Sequence, residues 1–510
     1  MANKSPRRRR KLPWLLGIGG AVLIAGGGTA AVGWVTSPVD TVGSVRFEQP
    51  LTIPPLADSK IDQDGRRVFE LTAQPGTTET LPGQESSSWG FNGDHLGPTL
   101  RAERGEQVVV NVHNELDQAT TVHWHGMHLP AEMDGGPHQM VEAGQQWSPT
   151  WQVDQPAASL WYHPHVHGET REHVNRGLAG MFIIDDPDEP AQQRLPHDYG
   201  IDDIPVIVQD HSLRGSGELR PGSNFGDTLL VNGDYGPFLD VTTDAVRLRL
   251  LNASSARVYN FGFSDARDFA VVGSDGGLLP VPVERDRVTL SPGERAEIVV
   301  ELQAGEDVVL RSFEADLGGG LTDRFSGGAD RFDVLELRAA ADLERAGSVP
   351  RTLASAPVLV RNDETTEPDR TFDLQGNKIN GERMDMNRID EVVEVDTTEI
   401  WEVRNTDGEF HNFHVHDVQF QVVDIDGEPP AAEFAGWKDT VLLKPGSEVR
   451  LAMRFSDYTD SDHPYMLHCH RLQHEDQGMM AQFVVVKPGQ AADTPPSHGN
   501  ADARSSHNDH

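Results

Sequence analysis

Four short histidine motifs constrain this chain more than any other feature of its sequence. On a β-strand, side chains two residues apart point to the same face, about 7 Å from each other, which suits two ligands of one metal. One such pair carries little information, but four pairs in one chain predict a metal centre. The motifs are His123-Trp124-His125, His163-Pro164-His165, His411-Asn412-Phe413-His414-Val415-His416 and His468-Cys469-His470.

Strand alternation divides these ligands into two sets. In the last motif it sends both imidazoles to one face and the thiolate to the other. In the third motif His414 and His416 point to one face, and His411 points to the other. Two neighbouring sites are therefore predicted. The first comprises Cys469, His411, His474 and, as a weak fourth ligand, Met479. The second comprises His123, His125, His163, His165, His414, His416, His468 and His470.

The ligand types indicate copper. Two imidazoles, a thiolate and a weak thioether form the blue-copper electron-transfer set. Zinc would accept cysteine and histidine, but it does not explain a neighbouring cluster of eight histidines. Cys469 is the only cysteine, which excludes an internal disulfide framework and any four-cysteine zinc or iron–sulfur site. The covalent path from Cys469 to its two neighbours offers electrons a short route between the sites.

Length and patterning predict the architecture. The 510 residues correspond to about three domains. Short alternating segments broken by Gly, Pro, Asp and Asn predict antiparallel β-sandwiches or barrels, with short helices near 167–177 and after 470. A net charge of −37 argues against nucleic acid as a partner. Predicted strands include 107–112, 121–125, 181–184, 206–209, 246–251, 288–290, 296–302 and 483–486.

The first 39 residues are typical of a targeting segment. Six basic residues precede an uncharged run from Leu12 to Val39, which reaches the roughly 20 residues that span a bilayer. We expect an export signal or a signal anchor. Consecutive arginines suggest the twin-arginine route, and general secretion remains the alternative. The protein is then extracellular, in the cell envelope, or membrane-anchored with its catalytic domains outside the cytoplasm.

At the four motifs the sequence resembles the multicopper oxidases, which include laccases, ascorbate oxidase, bilirubin oxidase and bacterial copper-efflux cuprous oxidases. The resemblance covers most of residues 45–488. It implies an all-β fold of three cupredoxin-like Greek-key β-sandwich domains, at 40–187, 188–345 and 346–488. The middle domain would hold no copper ligands, and 489–510 would be a disordered tail.

The resemblance also implies four copper ions with distinct ligands. His411, Cys469, His474 and axial Met479 would bind the mononuclear type 1 copper. The other three ions would form a trinuclear cluster. Type 2 copper would take His123 and His414, one type 3 copper would take His125, His163 and His470, and the other would take His165, His416 and His468.

Three acids gain candidate roles from the same comparison. Asp134 and Glu475 would supply protons to the oxygen-reducing centre; the alternatives are a surface carboxylate or a helix-start residue. Asp407, four residues before His411, is where cuprous oxidases hold an acid for the cuprous ion, and an ordinary loop aspartate is the alternative.

These observations predict an oxidase that takes single electrons from a small reducing substrate and reduces O2 to water. Only Met384 and Met386 are candidates for a soft Cu(I) site, and packing explains them equally well. A laccase-like oxidase of phenols and aromatic amines is therefore the first choice. A cuprous oxidase in copper tolerance is the rival, and a manganese or iron oxidase stays open. We expect a monomer.

Overall fold

The computed structural model describes residues 38–355, 358–359 and 367–495. The predicted targeting segment falls outside these ranges, apart from its last two residues, as does most of the predicted tail. Within the described ranges, no helix combines the length and apolarity needed to cross a membrane.

The first part of the chain forms two sheets around one buried apolar cluster. Strand β6 illustrates the pattern, because alternation buries Val108, Val110 and Val112 on one face. The sheet orders are β2-β3-β6-β8, with β4 on β3 and β9 on β6, and β5-β11-β10-β7. The elements are β1 (Gln49–Pro50), β2 (Ser59–Ile61), β3 (Arg67–Leu81), β4 (Gln84–Phe91), β5 (Leu100–Glu103), β6 (Gln107–Asn114), β7 (His123–His125), a 3-10 helix (Ala131–Met133), β8 (Gln146–Trp147), β9 (Thr150–Gln152), β10 (Ala158–His163), helix α1 (Thr170–Asn175) and β11 (Gly180–Asp185).

The middle part forms a second pair of sheets with its own core. One sheet has the order β14-β13-β12-β16-β21-β18-β19, and the other has the order β1-β15-β23-β22-β17-β20. The elements are β12 (Asp203–His211), β13 (Thr228–Val231), β14 (Asp234–Tyr235), β15 (Pro237–Thr243), β16 (Ala245–Asn252), β17 (Tyr259–Phe263), β18 (Phe269–Ser274), β19 (Gly277–Arg285), β20 (Val288–Leu290), β21 (Arg295–Glu301), β22 (Asp307–Phe313), a 3-10 helix (Gly320–Phe325) and β23 (Phe332–Glu344).

The last part forms a third pair of sheets, and its core includes Cys469 and Met479. The orders are β25-β24-β27-β31-β29 and β26-β33-β32-β28-β30. The elements are β24 (Arg370–Gln375), β25 (Lys378–Ile379), β26 (Glu391–Glu394), β27 (Thr397–Asn405), β28 (His411–Val415), β29 (Phe420–Ile425), a 3-10 helix (Ala432–Phe434), β30 (Thr440–Leu443), β31 (Glu448–Phe455), β32 (Tyr465–His468), helix α2 (Leu472–Asp476) and β33 (Met480–Val486).

The predicted all-β class is confirmed, and so are the two short helices. Each predicted strand has a counterpart, with ends that differ by up to three residues. The domain boundaries stay predictions. The start of the chain crosses the predicted boundary at residue 187. Strand β1 pairs with β15, and Leu51 joins the middle core. The start of the predicted first domain thus packs on the second unit.

Candidate metal centre

Strand pairing gathers the eight histidines between the first and third units. In the first unit, His163 on β10 lies opposite His123 on β7. In the third unit, His414 on β28 lies opposite His468 on β32. Each of the eight side chains is at most 1% exposed. The members are His123, His125, His163, His165, His414, His416, His468 and His470, and we call them the eight-histidine cluster.

Ring nitrogens in this cluster converge at distances that a shared metal ion could bridge. The Nε2 atom of His468 lies 3.2 Å from Nε2 of His165 and 3.3 Å from Nε2 of His416. Ligand atoms within 4.8 Å of one another also form the sets His123, His414 and His416, and His123, His125 and His163. The cluster therefore offers several overlapping coordination sets.

Hydrogen bonds on the outer ring nitrogens fix which nitrogen faces the centre. The Nδ1 atom of His123 lies 3.0 Å from the carbonyl oxygen of Asp134, and Nδ1 of His163 lies 2.8 Å from that of Pro164. Nδ1 of His414 likewise lies 2.8 Å from the Asp439 carbonyl oxygen. Their Nε2 atoms are buried without a hydrogen-bond partner. Buried polar atoms are rarely left so, and bound metal would satisfy them.

Burial also keeps these imidazoles neutral. It lowers the pKa of seven of them well below the ordinary value, and neighbouring imidazoles lower the pKa further because like charges repel. Neutral imidazole is the form that binds a metal. The seven are His125, His163, His165, His414, His416, His468 and His470.

A second, smaller group surrounds Cys469. Its Sγ atom lies 3.6 Å from Nδ1 of His411 and 3.7 Å from Nδ1 of His474, and these two nitrogens are 3.1 Å apart. Burial opposes ionisation of the thiol, but hydrogen bonds with the two histidines lower the pKa of Cys469 well below its ordinary value. The thiolate is the form that binds metal. The three side chains are thus arranged as a preformed soft site.

Met479 lies beside this group. Its carbonyl oxygen accepts a hydrogen bond from the Cys469 amide at 3.2 Å, and its amide donates to the His474 carbonyl at 2.8 Å. The side chain is fully buried in the core of the third unit. Its role as an axial ligand stays a prediction.

The two groups meet at the last motif. Cys469 contacts His411 and His474, whereas its neighbours His468 and His470 join the eight-histidine cluster. The division predicted from strand alternation is therefore what the structure has. Only the bonds of three consecutive residues separate the two sites.

Two of the predicted acids touch the eight-histidine cluster. Asp134 Oδ2 lies 2.8 Å from Nδ1 of His416. Glu475 has its carboxylate oxygens 3.5 Å from Nδ1 of His165 and 3.3 Å from Nδ1 of His468. Burial raises the pKa of Glu475 well above its ordinary value, and the neighbouring Asp476 raises it further. Both acids are only 1% exposed, and their role as proton donors stays a prediction.

Asp407 lies against the smaller group around Cys469. Its Oδ2 atom is 3.0 Å from Nε2 of His411 and accepts the Gly376 amide, while Oδ1 accepts the Glu409 amide at 2.9 Å. Burial opposes the charge, but the hydrogen bond with His411 and these amides lower the pKa of Asp407 to about 2. Asp407 thus orients His411 so that its Nδ1 atom points to Cys469.

Sequence reasoning missed the contribution of the middle unit. Arg295 forms a buried ion pair with Asp439, and Asp439 lies 3.0 Å from His125 Nε2. Gly293 packs so closely that an added Cβ would lie 3.0 Å from the His470 ring and 3.2 Å from the His125 ring. Arg295 and Gly293 lie outside the four histidine motifs, so only the fold reveals their contacts.

Comparison with known proteins agrees with this geometry. A multicopper oxidase family model matches residues 72–189, and a second one matches residues 352–489. Multicopper oxidase mco of Staphylococcus epidermidis is 34% identical over 456 residues, covering 87% of this chain and 94% of the relative. Cell division protein FtsP of Escherichia coli is 35% identical over 448 residues, covering 86% and 93%. The crystal structure of a laccase from Pediococcus acidilactici has a TM-score of 0.78 and 36% identity, covering 87% and 95%.

The chain therefore belongs to the multicopper oxidases. It is an oxidoreductase of cupredoxin-type fold, with copper as its cofactor and O2 and a reducing substrate as its reactants.

Proposed function

We propose that this protein binds four copper ions and oxidises phenols and aromatic amines one electron at a time, with reduction of O2 to water. The observation that carries the proposal is the position of Cys469 between a soft site and the eight-histidine cluster. His411, His474 and Met479 would join Cys469 in holding type 1 copper. His123 and His414 would hold type 2 copper, with type 3 pairs at His125, His163 and His470 and at His165, His416 and His468.

Copper in these sites would supply one-electron oxidation of the substrate and four-electron reduction of O2. The protein's own part is to fix the ligands and to manage protons. Asp407 orients His411, and the backbone carbonyls of Asp134, Pro164 and Asp439 orient rings of the cluster. Glu475 is a candidate proton donor, since burial favours its protonated form beside His165 and His468.

The hydrogen bonding of Asp407 supports a laccase-like substrate. One of its oxygens already faces both His411 and the Gly376 amide, and the other faces the Glu409 amide. A carboxylate engaged in this way is a weak candidate for capturing a separate cation. The similarity to the Pediococcus laccase points the same way.

A cuprous oxidase is the second candidate, and it too rests on Asp407. The side chain is 20% exposed beside His411, so its negative charge reaches the surface near the mononuclear site. Met384 lies beside the residue that precedes Met479, because its amide donates to the Gly478 carbonyl at 2.9 Å. We also propose that the protein is exported, as its first 39 residues predict, and that it is a monomer.

The test is oxygen uptake by the copper-loaded protein, with a methoxyphenol and Cu(I) supplied separately. We expect fast uptake with the phenol and little with Cu(I) above a free-copper control. Asp407→Asn should leave the maximal rate with the phenol within about threefold, because the amide oxygen can still accept from His411 and the Gly376 amide, and only the bond from the Glu409 amide is lost.

The opposite ranking of the two substrates would reject the laccase-like proposal. A large loss of Cu(I) oxidation in Asp407→Asn would then identify a cuprous oxidase. Asp426→Asn provides the matched control, since this aspartate accepts a backbone amide in a surface turn and contacts neither site.

A further inference from the structure

A buried arginine joins all three units at the edge of the eight-histidine cluster. Arg295 is fully buried, and each of its five N–H groups has an acceptor. Nε donates to the Ser159 carbonyl of the first unit at 2.9 Å. The two terminal nitrogens donate to the Gly293 and Asp275 carbonyls of the middle unit, at 3.1 and 2.7 Å. The remaining two bonds reach the carboxylate of Asp439 in the third unit, each at 2.7 Å.

Asp439 passes this constraint to a ring of the cluster. Its Oδ1 atom lies 3.0 Å from His125 Nε2, and the Thr440 hydroxyl lies 3.2 Å from the same nitrogen. The carboxylate cannot rotate away, because Arg295 holds both oxygens in a bidentate pair. Nδ1 of His125 is left buried with no hydrogen-bond partner.

His125 is therefore oriented opposite to its neighbours. In five rings of the cluster a carbonyl or carboxylate oxygen contacts Nδ1, so that Nε2 faces the centre; these are His123, His163, His414, His416 and His468. In His125 the contact is on Nε2, so that Nδ1 is the nitrogen available to a metal. A rotation of this ring would break the bond to Asp439 and point the wrong nitrogen inward.

We propose that Asp439, held by Arg295, is a positioning residue that fixes His125 with Nδ1 toward the trinuclear copper site. The middle unit, which holds no predicted copper ligand, thereby takes part in assembling that site. This inference rests on the proposed copper function. It goes beyond that function, because it assigns a role to Asp439 and Arg295, which lie outside the predicted ligand sets.

A chain of charges supports Asp439 from the outside. Lys438 bonds to Asp275 at 2.8 Å and to Glu294 at 3.0 Å. Asp275 in turn accepts the backbone amide of Arg295 at 2.8 Å. These contacts tie β21 of the middle unit to the segment that carries Asp439. The segment is therefore anchored by paired charges and not by side-chain packing alone.

The experiment compares copper-loaded wild type with Asp439→Asn and Arg295→Lys. Asp439→Asn keeps the shape but weakens the pair with Arg295 and removes the charged acceptor for His125. We expect the blue colour of the mononuclear site to remain. We also expect an altered type 2 electron paramagnetic resonance signal, and at least about a tenfold loss of trinuclear copper affinity or turnover. Arg295→Lys keeps the charge but loses the bidentate geometry, so its effect should be intermediate.

Asp203→Asn is the matched control. Asp203 is also fully buried and forms a bidentate pair with an arginine, Arg249, but it contacts none of the copper ligands. It should lower the stability without changing the trinuclear signals. If both Asp439→Asn and Arg295→Lys keep wild-type copper content, resonance signal and turnover, the proposal is overturned. Should Asp439→Asn fail to fold, Arg295→Lys alone decides by the same readouts. Wild type without trinuclear copper would instead reject the proposed function.

Discussion

At the scale of single residues, Cys469 carries the connection between the two sites. It is fully buried, its thiol favours the ionised form, and its two neighbours belong to the eight-histidine cluster. It contacts His411 and His474, while both of its covalent neighbours, His468 and His470, lie in the eight-histidine cluster. The identity of this side chain therefore matters more than its volume.

The change Cys469→Ser tests this directly. Serine is only slightly smaller than cysteine and keeps a hydrogen-bonding group. Its hydroxyl, however, stays protonated and is a poor ligand for copper. We expect loss of the blue colour and a fall in turnover of at least about a hundredfold, with the histidine-bound copper retained. Visible absorption, copper content and oxygen uptake measure the three effects. Retained turnover in this variant would contradict the assigned electron route.

At the scale of elements, strand alternation made the site predictable. Residues two apart on β28 and around β32 share a face, and this separated His411 and Cys469 from the histidines of the cluster, as the contacts show. The acids were found only through the family resemblance. Asp439 and Arg295 were missed altogether, because strand pairing and the approach of distant units cannot be read from local patterns.

A tight turn next to the cluster gives a prediction at this scale. Gly135 follows Asp134 with φ +78°, and an added Cβ would lie 1.8 Å from the Val122 carbonyl oxygen. Gly135→Ala should therefore strain the left-handed backbone and force the Val122 carbonyl away. We expect the two effects together to lower the free energy of unfolding by about 2–4 kcal/mol. Denaturant unfolding measures the loss.

Gly65→Ala separates the two contributions. Gly65 has a similar φ of +82° but nothing within 4 Å of an added Cβ. We expect it to lose only the conformational part, about 1 kcal/mol. Equal losses in the two variants would mean that the contact between Gly135 and Val122 is unimportant.

At the scale of the whole molecule, the eight-histidine cluster lies where the three units meet. The first and third units supply its histidines, and Arg295 of the middle unit contacts both. Tyr465 adds a further link, since its hydroxyl donates to the Leu129 carbonyl at 2.6 Å. Docking of the units and formation of the site are therefore coupled.

The pair between His128 and Asp417 predicts how this docking depends on pH. His128 Nδ1 lies 2.7 Å from Asp417, and Nε2 lies 3.3 Å from Asp457, across the contact between the first and third units. Burial opposes its charge, but Asp417 and then Asp457 raise the pKa of His128 to about 9. The pair stabilises the folded chain fully below the unfolded pKa of 6.5.

This stabilisation should disappear as the pH rises through about 9. Its size is at most ~3.5 kcal/mol, since the pKa rises by about 2.5 units and one unit corresponds to about 1.4 kcal/mol. Unfolding of His128→Gln and wild type by denaturant at several pH values measures the difference. That difference should shrink toward high pH. His113→Gln, at a more exposed pair with Glu70, is the control that should show little change. A difference that is constant with pH would reject the assignment.

The most direct test of the central claim is the ratio of electrons delivered to O2 consumed by the copper-loaded protein. Substrate oxidation and oxygen uptake are followed together, and hydrogen peroxide is assayed at the end. Linked mononuclear and trinuclear sites predict four electrons for each O2, with water as the product. Two electrons for each O2, with peroxide accumulating, would contradict this account of the two sites.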